Sequence, residues 1–263
     1  MKRILFFAIT ATAIFSSCKK DSTPAYDPNV KADLSVEFDN VVGSSDLQLN
    51  TGSYTNAAGE SYKVTKLKYY VSNFVFTNSN GTTYTVPQNE SYFLVDESDA
   101  TTHQPEMQVP EGEYKSVSFI VGVDSLRNTM DVSQRTGVLD VSATASDMYW
   151  GWNSGYIFFK LEGTCPVAPM GGIFQYHVGG FGGYSSSTAN NIRKITLDLT
   201  ARGVAKVKAG KSTNIHLMVD IQKALSGTST MSFATLNMIH SIAPGTPVAN
   251  NYANMFEHEH TEN

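Results

Sequence analysis

The sequence predicts an all-β domain: an antiparallel β-sandwich or barrel-like fold with one short helix near the C-terminus. Three observations carry this expectation. Apolar and polar residues alternate over short segments, Gly, Asn and Ser turns separate those segments, and helical periodicity is scarce. Leu34-Ser35-Val36-Glu37-Phe38 has the period of a half-buried strand. Tyr62 to Phe76 is a long β-prone run rich in Val, Tyr and Phe. Asn78-Ser79-Asn80-Gly81 follows it as a hairpin turn, because Asn and Gly tolerate positive φ. Tyr84 to Val86 then returns, and Tyr92 to Val95 is the next strand. Pro110-Glu111-Gly112 turns the chain into a strand from Tyr114 to Val123.

An aromatic strand runs to Gly163 and another spans Phe174 to Gly180. Ile195, Leu197 and Leu199 alternate with polar residues, as do Ile215, Leu217, Val219 and Ile221. Val248, Tyr252, Met255 and Phe256 recur at helical spacing just after Pro247, which predicts the helix.

The N-terminus carries a different signal. Lys2 and Arg3 precede an apolar run from Ile4 to Phe15, and Ser16-Ser17-Cys18 follows. A charged start, a short apolar stretch and small residues before a cysteine read as a lipoprotein signal peptide over 1–17. The run is shorter than the roughly 20 apolar residues of a membrane span. Cys18 is then the lipidated residue, and acyl chains on it would anchor the protein to a membrane. Residues 18–31 are polar and proline-bearing, as a flexible tether would be. The β domain occupies 32–263. With Cys18 committed to lipid, Cys165 has no cysteine partner within the chain.

The formal net charge is −5, and removal of Lys2 and Arg3 makes the remainder more acidic. Such a surface repels phosphate backbones, which argues against nucleic-acid binding. The chain lacks a Gly-x-Ser-x-Gly elbow, a phosphate loop, a dinucleotide fingerprint, a His-Glu-x-x-His pair and a Cys-x-x-Cys pair. These gaps argue against an enzyme. Glu162 and Asp198 are strand acids with no evident partner in the sequence.

The richest chemistry lies between Asp147 and Gly180. Trp150 and Trp152 are the two tryptophans of the chain. They share a face if the segment is extended, and packing is the ordinary role of such residues. An intact indole is a donor only and does not ligate a metal; oxidation to kynurenine would create an amine and a ketone that can. Along Phe174 to Val178, Phe174, Tyr176 and Val178 share one face, while Gln175 and His177 share the other. Gly179 and Gly180 then leave room for a close backbone or ligand. His177 is thus either a bland exposed histidine or a ligand.

His240, His258 and His260 follow near the C-terminus. Imidazole suits copper, zinc, iron and nickel. His240 and His258 are candidate ligands, and His260 reads as part of a solvated acidic tail. His216, between Ile215 and Leu217, reads as a satisfied structural residue. Neutral imidazoles bind metal best, so affinity is expected to fall as pH drops through about 6.5.

Several segments together resemble the MbnP-like copper-binding protein family, in the form of exported lipoproteins of Bacteroidetes-type bacteria. They are Lys66-Leu67-Lys68-Tyr69-Tyr70-Val71-Ser72, Gly112-Glu113-Tyr114, Val121-Gly122-Val123-Asp124-Ser125, Met148 to Gly163, and His177-Val178-Gly179. The resemblance spans about Asp33 to His258. It implies a β-rich domain, exported and lipid-anchored to the outer membrane, that binds copper through histidines.

It also implies that a tryptophan becomes kynurenine and joins the site in some relatives, through a di-haem cytochrome c peroxidase-like partner. By position, His177 is the carried-over ligand and Trp150 or Trp152 the candidate for oxidation. His240 and His258 are the candidates to complete the metal set. No histidine stands between Cys18 and His103, so any ligand from the first part of a relative has no counterpart here. The competing reading is a non-catalytic surface module for glycan or protein, attached to an outer-membrane uptake system, with exposed tryptophans stacking on sugar rings.

Overall fold

The computed structural model describes residues 26–152 and 155–263. The expected signal segment and Cys18 lie outside the described residues. The end of the expected tether is inside them and is docked. Asp27 N donates to Glu111 Oε2 at 3.0 Å, and strand Lys31–Val42 starts four residues later.

Two curled sheets face each other. The smaller runs in the order Phe256–Glu262, Thr213–Asp220, Lys31–Val42, Ser45–Asp46, with Glu106–Pro110 also paired to 31–42. The larger runs Arg193–Asp198, Gly112–Val121, Ser61–Asn78, Gly155–Thr164, Ile173–Gly179, Met238–Ile239, with shorter strands along it. The all-β expectation holds. Most ladders are antiparallel, but 31–42 with 213–220 and 173–179 with 238–239 are parallel.

Alternation explains which side chains meet between the sheets. Leu34, Val36 and Phe38 point inward from one strand of the smaller sheet, and Ile215, Leu217 and Val219 from its neighbour. They pack on Leu67, Tyr69, Val71, Phe159, Leu161, Phe174, Tyr176 and Val178 of the larger sheet. Phe38 bridges the layers edge-on, with its ring 5.6 Å from Phe119 and 6.2 Å from Phe256. Each such side chain contributes about 1.5–3 kcal/mol by leaving water. The hairpin expected at Asn78-Ser79-Asn80-Gly81 forms: Gly81 N donates to Asn78 O at 2.8 Å with φ of 91° at the glycine, and Thr83–Thr85 returns against 75–77.

The outer face of the larger sheet is also covered. Tyr70, Leu94, Tyr156 and Phe158 form a second apolar cluster with Val123, Leu139, Met148 and Trp150, supplied by the connection after strand 112–121. This cover stops at a rim of charged residues and histidines.

The C-terminal helix is shorter than the spacing predicts. It spans Thr246–Tyr252, with Pro247 in its first turn and Val248, Ala249 and Tyr252 buried. Met255 and Phe256 are not its continuation, because strand 256–262 begins at Phe256. His258 and His260 therefore sit on a paired edge strand, not on a solvated tail.

Candidate metal centre

His177 and Lys160 face each other across the antiparallel ladder of strands 173–179 and 155–164. Both belong to the outer face, since their neighbours Tyr176, Val178, Phe159 and Leu161 fill the core. Glu162 is two residues along from Lys160 on that face, and its Oε1 lies 2.8 Å from His177 Nε2. Strand 238–239 adds to the sheet in parallel with Gln175 opposite Met238 and Tyr176 opposite Ile239. One step further, His240 falls beside His177. The rings stack at 4.6 Å between centroids and 26° between planes.

Burial, first of all, pulls the His177 pKa down to about 4; Lys160 and His240 lower it further, and the Glu162 hydrogen bond opposes them. The imidazole is neutral at neutral pH. Because a carboxylate only accepts, the Nε2 facing Glu162 carries the proton, and Nδ1 keeps its lone pair. A carboxylate on one nitrogen with the other left for a cation is the usual outer support of a metal-bound histidine. Glu162 is a backing group here. It engages Nε2 and does not converge with His240 on a shared point.

A charged cluster adjoins the pair. Lys160 is 4% exposed, and its Nζ donates to the Asp147 main-chain oxygen. Asp147 Oδ2 lies 3.3 Å from Lys68 Nζ, 3.6 Å from Lys66 Nζ and 3.7 Å from Lys160 Nζ. Partial burial alone would raise the Asp147 pKa, but the lysines Lys160, Lys68 and Lys66 hold it below its ordinary value. Burial lowers that of Lys160.

The tryptophans do not share one extended run: Trp150 ends the short strand Tyr149–Trp150 and Trp152 follows in a turn. Tyr149–Trp150 pairs with Gly155 and Tyr156, and Trp152 sits in the turn. Trp150 is 5% exposed and Trp152 66%, and their rings are in contact at 5.4 Å. A Cβ on Gly179 would lie 2.9 Å from the Trp150 ring and 2.4 Å from Tyr156 O. The glycine therefore provides the space that Trp150 fills, and the expected close approach is made by the protein itself. Gly179 and His177 share a face two residues apart, roughly 7 Å along the strand. Trp150 thus borders the histidine pair.

The structure brings together His177 and His240; Trp150 lies against Gly179, two residues along the strand from His177, with Trp152 beyond it. It does not bring His258 to them. His258 projects from the C-terminal strand of the other sheet, buried, with Nε2 2.9 Å from Thr261 Oγ1. Burial lowers its pKa also. Sequence reading missed Glu162 as the partner of His177. The signal was there only in the register of two strands, since the residues stand 15 positions apart.

Fold and site together define a two-sheet β protein with a carboxylate-backed histidine pair on the outer face of its larger sheet. The chain belongs to the MbnP family, whose family model matches residues 31–241. His177 and His240 fall inside that span and His258 outside it. Among solved structures the chain is similar to MbnP from Methylosinus trichosporium, with 16% identity and a TM-score of 0.52 over 77% of this chain and 83% of that one. That likeness concerns the fold. No match is found among curated proteins.

Proposed function

We propose that this protein binds copper outside the cytoplasm, for its acquisition, storage or handling, while tethered to the outer membrane by lipid on Cys18. The observation that carries the reading is the stacked His177–His240 pair with Glu162 on His177 Nε2. Two imidazoles, one held neutral by burial, suit copper in either common oxidation state better than hard cations. His177 and His240 would hold the ion, and Trp150 would add a ligand after oxidation to kynurenine.

That oxidation belongs to a separate di-haem cytochrome c peroxidase-like partner, and an outer-membrane uptake system would receive the cargo. The role is binding, not turnover. Copper titration of the folded domain tests it, with His177→Ala and His240→Ala as variants. Unchanged affinity in both variants would sink the proposal. Mass spectrometry of protein from its native host tests the tryptophan: two unmodified indoles in copper-loaded protein would remove Trp150 from the ligand set.

A second reading has its own observation. A cavity of ≈ 710 Å³ beside the tryptophan turn is lined by Trp152, Tyr184, Phe181, Asn128 and Arg135, among others. The exposed rings of Trp152 and Tyr184 suit stacking on a sugar ring. Quenching of tryptophan fluorescence by oligosaccharides, lost in Trp152→Ala, would support this module.

A further inference from the structure

On the smaller sheet, strand 256–262 pairs antiparallel with strand 213–220, with His216 opposite His260 and Leu217 opposite His258. Glu259 is the extra residue between them, so the edge strand bulges there. In a regular strand Glu259 and His260 would point to opposite faces. A bulge sets two residues against one and re-aims their side chains, and here both turn to His216.

Glu259 Oε2 lies 3.3 Å from His216 Nδ1 and 3.1 Å from His260 Nδ1, and the two rings meet edge-on at 4.7 Å. Among the described residues, these three offer one donor atom each within 4.8 Å of one another.

We infer that His216, Glu259 and His260 form a second metal site, selective for a divalent first-row cation of the zinc type. Donors sharing a tetrahedral zinc at roughly 2.0–2.2 Å stand about 3.3 Å apart. Two separations already match, and a rotation of the half-exposed His260 closes the third. Two imidazoles and one carboxylate are a zinc donor set with an open position for water. They lack the thiolate or thioether that favours Cu(I).

The outer partners are present as well. His216 was expected to be fully satisfied, yet its Nε2 is buried without a hydrogen bond, 3.5 Å from Asp39 Oδ2. His260 Nε2 lies 3.6 Å from Glu262 Oε1. With Nδ1 of each ring on a cation, each Nε2–H would have a carboxylate oxygen 3.5 or 3.6 Å away, near enough to close to a hydrogen bond. Glu259 and His260 lie beyond the family match at 31–241, and His216 lies inside it.

The test is calorimetric titration of zinc chloride into the His177→Ala/His240→Ala double variant, which disables the first site. One equivalent of zinc should bind. Adding His216→Gln or His260→Gln should weaken it by at least about 100-fold, more than the roughly 10–100-fold that loss of an outer partner costs. Circular dichroism in chelator confirms that each variant is folded. Zinc should also raise the melting temperature of the double variant and leave that of the His216→Gln form unmoved. No zinc binding by the folded double variant, or binding indifferent to both glutamine substitutions, overturns the site.

Discussion

Glu162 and His177 meet across neighbouring strands with 2.8 Å between Oε1 and Nε2. The contact fixes the imidazole tautomer and, on the proposed copper reading, would make Glu162 a positioning residue for a cation on the opposite nitrogen. Glu162→Gln should therefore weaken copper by roughly 10–100-fold while the fold persists. Competition against a chelator of known affinity measures this, and an effect under threefold would mean that the pair is only structural.

Acid should reveal His177 in a stability curve. Its folded pKa is about 4 against an ordinary value of 6.5, so between those values the unfolded chain binds more protons. Stability contributed by the neutral ring is full above 6.5 and is lost as pH falls towards 4. The loss should be on the order of 2 kcal/mol, below the full conversion of the shift because the ring keeps some solvent contact. Urea melts at stepped pH should show that slope, and His177→Asn should flatten it. On the proposed copper reading, the same depression would move the His177 share of binding to more acid pH than the 6.5 expected from an ordinary imidazole.

Asp147 sits among three lysines, one of them buried, and offsets part of their charge. Asp147→Asn should cost about 1–3 kcal/mol. That is less than a fully buried pair loses on truncation, because Asp147 is 37% exposed at its side chain and Lys160 keeps the main-chain oxygen. Adding Lys160→Met should recover most of the loss, by removing the charge that was left without its partner. In the native protein the Asp147 contribution is full above the ordinary carboxylate value of 3.8 and fades only as pH falls below it. Thermal melts of the single and double variants decide the matter.

Gly179→Ala should destabilise by about 2–3 kcal/mol, since the new methyl meets Tyr156 O and the Trp150 ring and neither can retreat cheaply. Trp150 would be pushed from its seat, so its emission should shift to longer wavelength. A native spectrum with unchanged stability would show that the turn has slack.

Strand periodicity made much of this fold legible. Leu34 to Phe38 and Ile215 to Ile221 each bury every second residue, so sequence and sheet agree position by position. The cover over Tyr70 and Phe158 was not legible, because 123–150 has neither strand nor helix period and finds its place only by tertiary packing. The Val248, Tyr252, Met255 and Phe256 spacing imitates one helix because apolar residues at the end of a helix and the start of a strand can share it by accident. His177 was legible from alternation alone. Glu162 and His240 became its neighbours through strand register, which no local window contains. His258 was grouped with them by residue type, and its strand places it on the other sheet.

Strand 31–42 makes its longest ladder with a strand from far along the chain, with Val36 beside Ile215 and strand 213–220 paired in turn with 256–262. Such non-local pairing delays closure, because the loop entropy must be overcome before the contacts reward it. The early strand must therefore wait, with its inner apolar edge unpaired, until more than 170 further residues have been delivered. A chain of this topology leaves that edge open to misassociation until its later strands arrive.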